Sequence, residues 1–194
     1  MKTYAIGDVH GCFDTLEKLL QQIPNESRLI FIGDIINRGP KSLETIRTVM
    51  RMGDRAECLL GNHELHLLAV YAGQRAMSPE DTISEILNAP DCDDIIQWLR
   101  NRPLALVDHG FLCVHAATHW SWSVEETLKQ ASRVEKFIRS DKGLSQIGEL
   151  FGKFGSSRQR PIARRRQRAD AYSLSQCRRY DGFQTETFSC RYAC

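Results

Sequence analysis

Four places in the sequence put cation-binding side chains directly after a short apolar run. They are Gly7-Asp8-Val9-His10-Gly11, Gly33-Asp34, Gly61-Asn62-His63-Glu64 and Val114-His115. Carboxylate, amide and imidazole ligands together suit Mn, Fe, Zn, Co or Mg, and a shared carboxylate such as Asp34 can bridge two ions about 3.5–4 Å apart. Taken singly, each place has a plain reading. An Asp-x-His pair or a Gly-Asn-His is usually a turn, and Arg38 in Asn37-Arg38-Gly39-Pro40 would alone be a surface loop residue. In this order, at four successive run ends, they read as one metal site. His66 lies three residues after His63 and reads as structural or as support for the site. His109 with Asp108 reads as a surface turn. His119, beside Trp120 and Trp122, reads as packed or exposed, and the two tryptophans as partial core or the wall of a groove.

The elements that would position these residues follow from periodicity. Thr3–Ile6, 28–32, 56–60 and 110–114 read as short buried strands. Leu16, Leu19, Leu20 and Ile23 recur at helical spacing before Pro24, and Leu43, Ile46, Val49 and Met50 do so before Gly53. Further helices are expected over 63–71, 82–87, 93–100 and 125–139. Strands alternating with helices predict an α/β layered fold. Ligands of such sheets gather at strand C-termini, where these polar residues lie, and glycine there permits a tight turn close to an ion or phosphate.

The chain has 194 residues, 26% charged and 42% hydrophobic, enough for one sizeable core. No stretch approaches the roughly 18 apolar residues of a membrane span. The N-terminus lacks an apolar signal region, which predicts a cytoplasmic protein. The seven cysteines form no CxxC pair; Cys12, Cys58 and Cys113 are expected to be buried reduced thiols, and Cys190 and Cys194 are too weakly spaced to assign. Residues 1–152 carry 16 Lys+Arg against 21 Asp+Glu, a net of −5, whereas residues 153–194 carry 10 against 3, a net of +7. Only 5 of those last 42 residues are Leu, Ile, Val or Phe, so 153–194 reads as a basic, disordered tail behind an acidic body.

The motifs Gly7-Asp8-Val9-His10-Gly11, Gly33-Asp34-Ile35-Ile36-Asn37-Arg38-Gly39, Gly61-Asn62-His63-Glu64 and Val114-His115-Ala116 resemble the ordered signature of the calcineurin-like metallophosphoesterases, in the phosphoprotein-phosphatase branch. Within it, the stretches from His63 to Val70, Leu87 to Asp91 and Trp98 to Leu104, with Arg133-Val134-Glu135, are similar to the bacterial symmetrical tetraphosphatases. The resemblance covers residues 1 to 152.

It implies an α/β/β/α sandwich, incomplete at the C-terminus, with two divalent ions, manganese, cobalt or magnesium. Asp8 and His10 would hold the first ion, Asp34 would bridge both, and Asn62 and His115 would hold the second. Arg38 would clamp a substrate phosphate with its bidentate fork, and Asn37 would face the substrate beside it. His63 would be the general acid for the leaving oxygen. The implied reaction is attack of a metal-activated water on diadenosine tetraphosphate, cut in the middle to two ADP. A phosphoprotein phosphatase of the same superfamily, or a non-enzymatic remnant binding nucleic acid through the arginine-rich tail, is the alternative. A dinucleoside polyphosphate is the expected partner; a membrane and nucleic acid are not, and the oligomeric state is open.

Asn37 replaces the Asp that orients the acid histidine in protein phosphatases, which leans toward the nucleotide enzymes. Glu64 leans the other way, since tetraphosphatases usually carry Asp there. The family runs on past this chain's last residue and supplies a further metal-binding His, whereas no His follows His119. The residues from Lys153 read as another translation frame. Weak or absent hydrolysis and an exposed sheet edge are the corresponding expectations.

Overall fold

The computed structural model describes residues 2–151 and the strand at 176–179. Three parallel strands, β1 (Thr3–Ile6), β2 (Arg28–Phe31) and β3 (Ala56–Cys58), form one sheet in the order β1-β2-β3. Thr3 pairs with Arg28 and Leu29 with Ala56. Helix α1 (Phe13–Leu20) joins β1 to β2, and α2 (Ser42–Arg51) joins β2 to β3.

β2 is apolar at consecutive positions because both its faces are covered. Leu29 and Phe31 join Cys58 and Leu60 in the main core with Ile46 and Val49 of α2 and Leu67 and Leu68 of α3 (Asn62–Tyr71). Ile30 and Ile32 point the other way, with Leu59, onto Cys113 and Leu106 of a second sheet.

That second sheet holds β4 (Ala105–Asp108), β5 (Phe111–Val114) and β6 (Gln176–Arg179), all antiparallel. β4 was not expected from the sequence. His109 and Gly110 turn it into β5 with φ of 46° and 78°, the left-handed pair that a tight hairpin turn requires. His109 thus lies in a turn, while Asp108 closes the strand. Most of the basic tail lies outside the described residues, but the backbone of β6 pairs along Phe111–Val114. The edge of β5 is therefore covered there, contrary to the expectation of an open edge, because the tail itself supplies a strand.

The remaining helices are α4 (Ser84–Leu87), α5 (Cys92–Arg100), α6 (Val124–Arg139) and α7 (Asp141–Ser145). Buried Arg100 donates from Nε to the Ile138 carbonyl and from Nη2 to the Arg139 carbonyl, capping the C-terminus of α6 where a cation is favoured. Glu135 of α6 accepts from the Leu104 N–H at 2.8 Å, and Arg102 lies over the Trp98 ring while pairing with Glu57. The Trp98–Leu104 and Arg133–Glu135 stretches that carried the narrower resemblance thus hold α5, β4 and α6 together. Cys58 and Cys113 are buried and form no disulfide, as expected. Cys12 is instead disulfide-bonded, and it is only half-buried. No helix among the described residues is long and apolar enough to cross a membrane.

Candidate metal centre

The loops after β1 and β2 are zipped together by their backbones. Val9 and His10 N–H both donate to the Asp34 carbonyl, Gly11 N–H donates to the Ile35 carbonyl and Gly39 N–H to the His10 carbonyl. This places Asp8 and His10 against Asp34. The chain must bend sharply to do so. His10, Asp34, Asn37 and Arg38 have φ of 51°, 50°, 71° and 72°, a left-handed region that L residues occupy at a cost of about 1–2 kcal/mol each. Four of the five such non-glycine residues in the described structure lie at this one place.

Glu64 draws in the third loop. Its carboxylate is fully buried, with Oε2 accepting from the N–H groups of Asp34 and Gly61, each at 2.8 Å, and Oε1 from those of Ile35 at 2.9 Å and Ile36 at 3.4 Å. It reaches back to the residue before its own helix, as capping glutamates do, and also across to the β2 loop. A Cβ on Gly61 would collide with the Asp34 carboxylate, so only glycine lets these two loops approach. Burial and the neighbouring Asp34 push the Glu64 pKa up to about 7, and its N–H donors pull the other way.

The side chains then converge on Asp34. Its Oδ2 lies 3.3 Å from His115 Nε2 and 3.9 Å from His63 Nε2, and its Oδ1 accepts from the His63 N–H at 2.9 Å. His115 Nε2 is 3.2 Å from Asn62 Oδ1. His10 Nε2 is 3.7 Å from Asp8 Oδ2, and its ring meets His63 edge to face at 4.9 Å between centroids. Two groups of possible ligands result, His10 with Asp34 and His63, and Asp8 with Asp34 and His115, each with its ligand atoms within 4.8 Å of one another. Both contain Asp34.

This donor set fits divalent ions. His115 Nδ1 lies 2.7 Å from the Ile32 carbonyl, which can only accept. Nδ1 therefore carries a proton, and Nε2 is the nitrogen turned to Asp34 and Asn62, the arrangement by which proteins aim a metal-binding imidazole. Burial alone would lower the His115 pKa, but the Asp34 carboxylate outweighs it and raises the value to about 9. Asp34 is held below the usual carboxylate range: burial opposes this, and His115 and the His63 N–H prevail. The hydrogen bond to Asp8 raises the His10 pKa against its own burial. His63 moves the other way, lowered first by burial, with His10 and Arg38 adding to it and Asp34 opposing.

The remaining sequence candidates separate. Arg38 is half-exposed and donates to the exposed Glu80 at 2.9 Å. Asn37 is completely buried, so it does not face a substrate. Its amide instead touches His63 Nδ1 at 2.9 Å and Asp81 Oδ1 at 2.8 Å. His66 pairs with Asp81 Oδ2 at 2.8 Å. His119 stacks between Trp120 and Trp122 away from the ligand groups, with Trp120 89% exposed. Trp122 lines an apolar cavity of about 340 Å³ with Leu65, Leu104 and Val134, open to Asn62 and His115.

Asp81 and Glu64 are the residues that sequence reasoning missed. A buried Asn requires partners, and that was the one signal for Asp81. Glu64 was weighed as a marker of one branch, while its four N–H contacts make it the tie between two loops.

Known proteins point the same way. The symmetrical bis(5'-nucleosyl)-tetraphosphatase of Ralstonia nicotianae is 46% identical over 151 residues, 77% of this chain and 53% of that protein. The enzyme of the same name from Psychromonas ingrahamii is 40% identical over 162 residues, 81% of this chain and 59% of its own. A crystal structure provisionally described as a diadenosine tetraphosphatase aligns with a TM-score of 0.53 at 27% identity, covering 63% of this chain and 53% of its own. The chain thus spans a little over half the length of the curated relatives it matches. The family model for calcineurin-like phosphoesterases matches residues 1–169. With that match covering most of its length, the chain belongs to the calcineurin-like phosphoesterase family.

Proposed function

We propose that this chain hydrolyses dinucleoside tetraphosphates, diadenosine tetraphosphate among them, by a symmetrical cut that yields two nucleoside diphosphates. The observation that carries this reading is Asp34, one carboxylate common to two ligand groups at the mouths of three strands. The relatives' shared name supplies the substrate class.

Asp8 and His10 would hold the first divalent ion, Asp34 would be shared, and Asn62 and His115 would hold the second, with manganese, cobalt or magnesium as the metal. When bound, the ions would acidify water and neutralise phosphate charge. The chain's own residues do the rest. Arg38 swings from Glu80 to a phosphate; an exposed ion pair of this kind is worth at most about 1 kcal/mol, so the exchange is cheap. His63 stands over Asp34 and serves the leaving oxygen. The α3 N-terminus, beginning at Asn62, adds the positive end of its dipole. The apolar cavity beside Asn62 and His115 gives a nucleobase somewhere to lie. Residues 1–152 form the catalytic domain, working in the cytoplasm, and 153–194 form a basic extension.

Five protein ligands for two ions is a sparse set, so turnover is expected to be slow. The test is incubation of the purified chain with diadenosine tetraphosphate and manganese, followed by chromatography of the products. ADP as the sole nucleotide supports the reading. ATP with AMP, or hydrolysis of a phosphoserine peptide with no cleavage of the dinucleotide, sinks it.

A further inference from the structure

Asn37 has only one way to sit. Its Oδ1 accepts from the Arg38 N–H and from the Thr82 N–H, both at 2.8 Å. Backbone N–H groups only donate, so the amide oxygen must face them and its NH₂ must face the other way. One hydrogen of that NH₂ goes to Asp81 Oδ1 at 2.8 Å, and the other to His63 Nδ1 at 2.9 Å. Asp81 anchors the arrangement. Its side chain is 4% exposed, and its second oxygen accepts from His66 Nε2 at 2.8 Å and from the Ser78 N–H at 2.6 Å. Burial alone would raise the Asp81 pKa, but the hydrogen bonds from Asn37, His66 and Ser78 hold it down at about 2.

An amide NH₂ cannot accept. His63 Nδ1 must therefore present its lone pair, and the single proton of the neutral ring sits on Nε2. That is the nitrogen facing Asp34 Oδ2. A carboxylate at position 37 would do the reverse, accepting a hydrogen bond from a protonated Nδ1 and supporting a ring that carries a proton on both nitrogens and gives up the one on Nε2.

The two arrangements suit different leaving groups. A phosphate oxygen, with its second pKa near 6, departs as an anion without taking a proton. An alcohol, nearly as basic on departure as hydroxide from water at about 15.7, departs only with one. We propose that Asp81, acting through Asn37, fixes His63 as an Nε2–H hydrogen-bond donor and so selects phosphoric anhydrides over phosphate esters of alcohols. This rests on the hydrolase reading above. In the step, water's oxygen bonds to phosphorus, and the bridging P–O bond breaks with its electron pair staying on the leaving phosphate oxygen. The proton of the water passes to solvent, while His63 hydrogen-bonds the leaving oxygen and keeps its own. Asn37 and Asp81 are positioning residues, and neither touches the substrate.

The tautomer can be read without turnover, from long-range ¹H–¹⁵N correlations of the His63 ring in the metal-free chain, assigned by the signal lost in His63→Gln. The native chain should show the Nε2–H pattern, Asn37→Asp should place a proton on Nδ1 in addition to that on Nε2, and Asp81→Asn should leave a mixture. An Nδ1–H pattern in the native chain overturns the proposal, and this reading needs no variant other than the one used for assignment. With manganese present, Asn37→Asp should raise the ratio of kcat/KM on a phosphoserine peptide to that on diadenosine tetraphosphate by about 100-fold, the lower side of what general acid catalysis supplies. An unchanged ratio overturns the selection. An Nε2–H pattern in a chain that never cleaves the tetraphosphate supports the tautomer and overturns the hydrolase reading alone.

Discussion

A proton competes with the metal at His115. In the metal-free chain Asp34 lifts its pKa to about 9, well above the ordinary value of about 6.5. Below about 9 the ring is charged, and an ion that binds Nε2 must expel that proton; affinity therefore rises with pH until the proton is gone. Manganese binding followed by calorimetry should tighten close to 10-fold per pH unit between about 6.5 and 8.5 from this group, with proton release seen as a dependence on buffer ionisation enthalpy. Binding that is flat across this range would mean His115 is no ligand. At this scale the sequence was most informative. Asp8, His10, Asp34, Asn62, His63 and His115 fall at four places because each follows a strand end, and strand ends can be read from short apolar runs, three of them closed by glycine. Asn37 and Asp81 could not be joined, since 44 residues separate them and nothing in the spacing says that a loop returns.

Among the elements, two of the three βα loops are joined through a single side chain. Glu64 takes N–H donors from the β2 loop and from Gly61 ahead of α3, so an uncharged isostere would turn a donor toward donors. Glu64→Gln is expected to cost about 2–3 kcal/mol, measured as a lowered urea midpoint with an unchanged slope; an unaltered midpoint would refute the clamp. The helices were legible to within a few residues, because α1, α2, α5 and α6 each carry one apolar stripe. β4 was not. It has four residues, only Ala105 of them is buried, and Val107 faces solvent, so its run is too short and too unevenly buried to stand out. It exists because the His109–Gly110 turn folds it onto β5 and because Glu135 fixes the Leu104 N–H at its start. Those are tertiary causes, and no window of sequence contains them.

For the whole molecule, the candidate ligands come from both sheets. Asp8, Asp34 and Asn62 follow the parallel strands, and His115 follows β5 of the antiparallel sheet. An ion held by all of them bridges two layers whose shared apolar cluster is small, namely Ile30, Ile32, Leu59 and Cys113 with Leu106 against it. Metal should therefore stabilise the fold as a whole. At manganese 100-fold above its Kd the gain is about 2.7 kcal/mol, equivalent to a rise in Tm of roughly 5–10 °C for a chain of this size. Chelation should reverse the shift, and a Tm indifferent to chelator would place the ion outside this junction.

The left-handed backbone at His10, Asp34, Asn37 and Arg38 sets natural selection a dilemma. Any of these positions would be more comfortable as glycine, so drift toward a sturdier protein runs directly through the loss of its working parts. Arg38 is the clearest case, half-exposed and held by one surface partner. Arg38→Gly should raise stability by roughly 0.5–1 kcal/mol, the relief of left-handed strain less the added freedom of the unfolded glycine, while weakening retention of a polyphosphate. A variant that loses stability instead would show that Arg38 is held by more than its partner on the surface. Sequences that keep arginine in this uncomfortable posture have been kept for what the side chain does, and a lineage released from that duty should show glycine here first.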